Sequence, residues 1–252
     1  MSILRFNLNG CGMQELTQQI ESGQLDAAEI TARHALIVNP DDGRTRELFG
    51  LILGRTKRLT EAREQLETAS CLVPLSPQGQ LLLAECYLGE GPRELGLDML
   101  IHLSKRDDSD VQTLRAAAAA ADEIDHPWVA REIGLRSVRR YEDAQTWYEL
   151  GYYCMRLGGP IRHTEAHARR AIELEPDNVE FRIGLCALLA KNDRLADAYE
   201  LVSAFGKREI DRVCCESCLR TVMNVYEAVS DSVRASLCLS RLDEGFVPPC
   251  CG

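Results

Sequence analysis

The 252-residue chain carries 39 Asp and Glu against 29 Lys and Arg. The resulting formal charge of −10 argues against nucleic acid as the main partner, because phosphate binding needs a positive field. Hydrophobic residues make up 45% and charged residues 27%, the balance of a folded soluble protein, and no apolar run approaches the roughly 18 residues of a membrane span. Aromatic residues are only 6%, and alternating β-branched residues are nearly absent, so an all-α class follows.

Residues 1–11 read as an N-terminal extension whose Ile3, Leu4, Phe6 and Leu8 lie across the open end of a first hairpin. Leu8, Asn9, Gly10 and Cys11 loosely match a lipoprotein cleavage box, but Arg5 interrupts a segment too short for a signal peptide. With eleven cysteines, an odd number, the expectation is a reducing, cytoplasmic setting with unbridged thiols. The first hairpin takes a helix from about Met13 to Ser22, a turn at Gly23, and a second helix opened by Asp26 with Glu29 as a capping box. Asn39, Pro40 and Asp41 close it.

From Arg46 to Pro74 two short amphipathic patterns are joined by a basic turn. Phe49, Gly50 and Leu53 share a face of the first, and Ala62, Leu66 and Ala69 a face of the second. Pro40 and Pro74 are 34 residues apart, and the same step lands on Asp108, Glu142, Pro176, Ile210 and Glu244, each near the end of an apolar periodic segment. A helical hairpin therefore repeats about seven times. Ser76 and Pro77 read as N-cap and first helical residue of the third repeat, which turns at 89–92. The fourth holds Ala116 to Ala121, then Pro127 and Trp128 opening its second helix. The fifth starts one residue early and regains register through Gly158, Gly159 and Pro160. The sixth runs from about Val179 to Phe205. The seventh has helices from about Arg212 to Val229 and from Ser232 to Leu242, with a polar outer face suited to a terminal cap, before a tail of residues 245–252.

Trp147, Leu150, Gly151 and Cys154 follow the pattern W-x2-L-G-x2-Y except at the last place, and Ala171 and Pro176 complete that repeat. Gly50 with Ala62, Ala69 and Pro74 matches again, as do Ala84 with Tyr87, and Ala28 with Ala35 and Pro40. The unit resembles the tetratricopeptide repeat (TPR) from about Gly12 to Glu244. That resemblance implies one domain over 12–244, a right-handed superhelical α-solenoid of antiparallel helix pairs. Small residues in each pair would let the helices approach: Gly50, Ala84, Ala118, Gly151 and Cys186 facing Ala62, Gly96, Ala130, Thr164 and Ala198. Leu16 and Arg220 depart from this rule in the first and last hairpins.

No phosphate loop, nucleophile elbow or H-E-x-x-H motif occurs, and no catalytic residue, enzyme activity or cofactor is expected. His163 and His167 are two ligands where zinc wants three or four. Cys71, Cys86, Cys154 and Cys186 fall on helices, three of them inward, where cysteine acts as a small hydrophobe. Cys214, Cys215 and Cys218 form a denser group. A four-thiolate zinc site from Cys215, Cys218, Cys250 and Cys251 is chemically possible, but the first two lie in a helical pattern without a metal-binding knuckle, so incidental thiols are favoured over metal or redox chemistry.

The resemblance further implies that the first helices line a groove for a partner peptide or helix, an adaptor or scaffold role. Mapped here, the groove holds Leu51, Leu81, Tyr148, Tyr152, Met155 and Ile183, with Arg44, Arg55, Arg115 and Arg156 and with Glu47, Glu85 and Asp122. A partner segment with an apolar anchor and a carboxylate would lie across Arg115, Tyr148, Tyr152 and Arg156; the alternative is that both tyrosines simply pack on the neighbouring repeat. Met13, Thr17, Arg115 and Ala119 stand where the chaperone-binding type carries lysine and asparagine, so chaperone-tail recognition is not expected. Self-assembly into a larger structure, as a homo-oligomer, is the alternative function; neither nucleic acid nor membrane is an expected partner.

Overall fold

Proline, glycine and acidic punctuation cuts this chain into short helices, and the computed structural model, which describes residues 8–213 and 215–244, contains fifteen of them and no strand among those residues. In order they are α1 (Leu8–Glu21), α2 (Leu25–Val38), α3 (Gly43–Arg55), α4 (Leu59–Leu72), α5 (Pro77–Glu90), α6 (Arg93–Leu103), α7 (Val111–Glu123) and α8 (Pro127–Arg140). There follow α9 (Ala144–Arg156), α10 (Ile161–Leu174), α11 (Val179–Ala190), α12 (Leu195–Val202), α13 (Lys207–Asp211), α14 (Glu216–Ala228) and α15 (Ser232–Asp243). No helix among the described residues is long and apolar enough to cross a membrane. The chain divides into two compact units, Met1–Ser137 and Val138–Gly252.

The second helices of the first six hairpins begin 34 residues apart, at Leu25, Leu59, Arg93, Pro127, Ile161 and Leu195. Side chains set many of the starts of the first helices. Asp42, Ser76, Asp110, Asp143 and Asn178 each accept a backbone N–H of the first helical turn, and Pro77 stands just inside its helix. The first hairpin differs from the sequence expectation. α1 already begins at Leu8, and α2 is capped by Gln24 without a side-chain bond, so Asp26 and Glu29 form no capping box. Glu29 is drawn instead to Arg33 and Arg58. The placement expected of Ile3, Leu4 and Phe6 and of the Leu8 side chain lies outside the described residues.

Within a hairpin, contact distance depends on the small residues. A Cβ on Gly50 would lie 2.7 Å from Leu66 Cγ and 3.3 Å from the Ala62 carbonyl, one on Gly96 3.0 Å from the Ala84 carbonyl, and one on Gly151 3.2 Å from the Thr164 carbonyl. Each of these pairs is therefore at backbone-to-backbone approach. The turns that follow repeat their backbone too: Gly23, Lys57, Asp125, Gly158, Asp193 and Ser230 all have φ between 58° and 75°, although only two are glycine. Each lies seven residues after an inward position: Leu16, Gly50, Ala118, Gly151, Cys186 and, in the last hairpin, Met223. Arg220 is thus not the contact residue of the seventh hairpin; it is exposed and pairs with Glu216. The shift comes from α13, a one-turn helix between the end of the sixth hairpin and the expected start of the seventh near Arg212. The Glu209 carboxylate accepts the Gly206 N–H at 2.9 Å, Ile210 and Val213 are buried, and extended backbone at Cys215 delays α14 to Glu216.

Two features tie hairpin to hairpin. In the first unit Glu47, only 2% exposed, accepts the Ser76 N–H at 2.6 Å and an Arg44 N–H at 2.7 Å, so a buried carboxylate on α3 sits at the N-terminus of α5. Gly79 leaves room for it, since a Cβ there would overlap the carboxylate. The second is an ion-pair set that occurs twice, 136 residues apart. Arg58 pairs with Glu29 of the preceding hairpin and with Glu61, while Glu29 also pairs with Arg33; Arg194 pairs likewise with Glu165 and Asp197, and Glu165 with Arg169. Hydrogen bonds from Arg58 and Arg33 hold the Glu29 carboxyl below the usual glutamate range, and Arg194 and Arg169 do the same for Glu165.

The sequence expectation of a polar outer face on the last hairpin also needs correction. Val233 and Leu239 are 72% and 53% exposed, because the helix rotates Cys238 rather than Leu239 into the core.

Ala62→Leu should destabilise the chain by about 1 to 3 kcal/mol, since the added methylenes enter a contact already at backbone distance. Thermal denaturation checks this, and an unchanged melting temperature would remove Ala62 from the contact. A double variant Glu29→Gln, Glu165→Gln should melt below wild type at neutral pH. Because both native carboxyls titrate low, their contribution is fully present above the unfolded glutamate value of about 4.3 and is lost as pH falls through the lowered native values. The gap between the two melting curves should close on acidification.

Candidate functional site

The second unit holds a narrow slot whose walls are α9 and α11 and whose floor is α10. Gln145, Tyr148, Glu149, Tyr152 and Met155 line it from α9, Thr164 and Ala168 from α10, and Gly184, Leu185 and Leu188 from α11. These are the helix positions that a 3.6-residue period brings to one side. The cavity volume is about 190 Å³. The Gln145 amide donates to the Glu149 carboxylate at 3.0 Å, placing the polar groups together on the same wall.

Three of the residues expected in the groove, Tyr148, Tyr152 and Met155, come together here. The two tyrosines differ in kind. Tyr148 is half-buried, its ring stacked on Phe181 at 4.8 Å, and its hydroxyl lies against Gly184 so closely that a Cβ there would overlap it. Tyr152 and Met155 are 44% and 46% exposed, with the Tyr152 ring edge-on to Tyr153 at 5.8 Å. Packing on the neighbouring repeat thus describes Tyr148 and does not describe Tyr152. Arg156, the last residue of α9, is exposed.

The other groove residues lie elsewhere. Ile183 is 4% exposed and belongs to the core with Cys186 and Val202 rather than to the slot, because the neighbouring Gly184 is what faces Tyr148. Leu51, Leu81 and Arg115 are half-buried in the first unit, where an Arg115 N–H bonds Gln112. Arg44 is held by Glu47, and Arg55 donates to the Ile20 carbonyl at 2.9 Å, so both cations and Glu47 serve packing between hairpins. Glu85 is exposed and Asp122 half-buried, also in the first unit.

Gly184, Leu188, Gln145 and Glu149 were not singled out by the sequence. An isolated glycine inside the apolar run Ile183 to Ala190 was the available signal, since such a glycine in a helix marks close packing.

Cys215 caps α14 and Cys218 is in its first turn, while Cys214, Cys250 and Cys251 lie outside the described residues. Among the described residues no group of three or more His, Cys, Asp and Glu is arranged to hold a metal ion. His163 is exposed, and His167 tilts against Trp147 at 5.5 Å. Burial pushes the Cys86 thiol up to about 11 and Cys186 to about 12, so both stay protonated near neutrality, whereas Cys71 is exposed.

No protein-family model and no curated protein sequence matches the chain. Solved structures do match it. The C-terminal part of a TPR repeat-containing protein from Cytophaga hutchinsonii is similar at a TM-score of 0.68 and 11% identity, over 90% of this chain and 93% of that one. A tetratricopeptide repeat protein from Parabacteroides merdae gives 0.60 at 14% identity, covering 93% and 92%. YrrB, a TPR protein with an unusual peptide-binding site, gives 0.55 at 13%, covering 84% and 97%. The chain has the tetratricopeptide-repeat fold.

Gly184→Ala should preserve helical content, because alanine favours a helix interior over glycine by roughly 1 kcal/mol. It should nevertheless push the Tyr148 ring off Phe181. Loss of the mutual ring-current shifts of these two residues in NMR spectra checks the displacement.

Proposed function

We propose that the protein is an interaction adaptor that takes one apolar side chain of an extended or helical partner segment into the slot between α9 and α11. The observation that carries this reading is the exposure of Tyr152 and Met155 beside a preformed apolar slot walled by Tyr148, Leu185 and Leu188. Size favours a peptide over a metabolite. Sites for small molecules and cofactors typically occupy about 300 to 1,000 Å³, whereas this slot, near 190 Å³, matches a single leucine, methionine or phenylalanine. An exposed tyrosine on a rigid helix is also the residue type in which binding energy concentrates. The peptide-binding site of the structurally similar YrrB agrees with the reading.

The fold analogy and the absence of a recognised catalytic motif favour binding over catalysis, in a single repeat domain over 12–244 and a cytoplasmic setting. Arg156, exposed where α9 ends, remains the candidate for a partner carboxylate.

Peptides selected from a random display library on the wild-type protein should share one apolar anchor residue. Tyr152→Ala and Met155→Ala should each weaken the best of them, measured by calorimetry, and Tyr152→Ala by at least about 2 kcal/mol. Because both side chains are exposed, the melting temperature should hardly move. Wild-type affinity in both variants would place the binding surface elsewhere.

A further inference from the structure

The sequence sets Cys215 and Cys218 inside a helical pattern, where side chains three residues apart run side by side. Their Cβ atoms would then be roughly 5 to 6 Å apart, whereas a disulfide asks for about 3.5 to 4.5 Å. The structure removes that obstacle. α14 begins only at Glu216, so Cys215 is the extended residue before the helix and Cys218 the third residue of its first turn.

Cys215 thereby takes the place that Asp42, Ser76, Asp110 and Asp143 hold before α3, α5, α7 and α9, and those residues show what the place does. Each turns its side chain over the first helical turn and accepts the N–H three residues on, from Thr45, Gly79, Thr113 and Thr146. In two of them the side chains themselves touch: Thr45 Oγ1 donates to the Asp42 carboxylate at 2.9 Å and Thr146 Oγ1 to the Asp143 carboxylate at 2.6 Å. Asp143 matches Cys215 in backbone as well, with φ −107° and ψ 120° against −106° and 120°. Helical residues follow in both, so the same dihedrals aim the side chains of 215 and 218 at each other. Two sulfurs stand where the fifth hairpin sets a carboxylate and a hydroxyl.

The surroundings suit thiol chemistry. Cys215 and Cys218 are both half-buried, and the structure describes them in the reduced form, whereas Cys86, Cys154, Cys186 and Cys238 are buried. The exposed Cys71 has no cysteine within a helical turn of it. N–H groups of a helix's first turn favour a negatively charged sulfur, and the carboxylate next in the chain, Glu216, is paired with Arg220 at 2.6 Å.

We propose that Cys215 and Cys218 are a site of thiol–disulfide exchange, closing reversibly into a disulfide across the start of α14. The substrate class is a small-molecule disulfide of the glutathione type. Cys215, its proton lost to solvent, attacks one sulfur of that molecule, forming a mixed disulfide and releasing one thiolate. Cys218, its proton passing to the released thiolate, then attacks the Cys215 sulfur, and the second thiolate leaves. Two protein thiols are oxidised and one small disulfide is reduced to two thiols. The site is independent of the slot between α9 and α11.

Oxidised glutathione added to the reduced full-length chain, followed by acid quenching, alkylation and peptide mass analysis, tests the proposal. The expected result is loss of two hydrogens from the peptide that holds both residues, reversed by a thiol reductant. Cys214→Ser should still close. Cys215→Ser and Cys218→Ser should not, and Cys218→Ser should instead accumulate the glutathione adduct on Cys215. In the wild type, Cys215 is expected to react with oxidised glutathione at least about tenfold faster than the exposed Cys71. That comparison needs no variant, so it decides even where a substitution disturbs the last hairpin. Equal reactivity of Cys215 and Cys71, closure lost in Cys214→Ser, or a link to Cys250 or Cys251 in place of the Cys215–Cys218 bond overturns the assignment.

Discussion

Everything in this structure depends on how closely two helices of a hairpin can approach. The distance is set by the pairs Gly50 with Ala62, Ala84 with Gly96, and Gly151 with Thr164, where a missing or small side chain puts one helix against the carbonyls of the other. Beyond that contact, Leu66 and Ala69 are buried in one cluster with Leu83 of the next hairpin. The stability of one hairpin therefore depends on the adjacent hairpin, as expected in a repeat array. The left-handed turn residues follow from the same geometry. A chain reversing between two close helices adopts positive φ at a fixed place, and Lys57, Asp125, Asp193 and Ser230 accept that conformation at a cost of about 1 kcal/mol or more each because the packing demands it.

Electrostatics refine this arrangement without creating it. In the paired sets the arginines Arg58 and Arg194 are partly solvent-facing while Glu29 and Glu165 are more covered, and ion pairs at a partly wet surface stabilise only modestly by themselves. Their recurrence four repeat lengths apart indicates that they orient one hairpin on the next. Glu47 acts differently. Buried at the N-terminus of α5, it satisfies a backbone donor and meets the positive end of a helix, so removing it would strand the Ser76 N–H.

The candidate slot is a by-product of the same packing logic. Gly184 has no side chain, so Tyr148 lies flat between α9 and α11 and stacks on Phe181, and the space beside it stays open under Tyr152 and Met155. A larger residue at 184 would displace Tyr148 into that space. The openness of the slot thus depends on a residue that presents no side chain to it.

Helical class, the 34-residue period, the hairpin boundaries near proline and the inward small positions were legible in the sequence, because periodicity, capping and proline geometry act over a few residues of chain. So was the grouping of Tyr148, Tyr152 and Met155, three residues spaced along one helix face. What only the tertiary structure decided depends on the hairpin next door. It placed Ile183 in the core and Gly184 at the slot, separated the roles of Tyr148 and Tyr152, and made Glu47 a buried link. It also drew Glu29 to Arg58 in place of a cap, and a one-turn helix moved the last contact from Arg220 to Met223. Leu239 looks like any core leucine in sequence, since its pattern is that of a buried position. Whether such a position is buried is fixed by what covers it, and coverage is a non-local fact that no local pattern encodes.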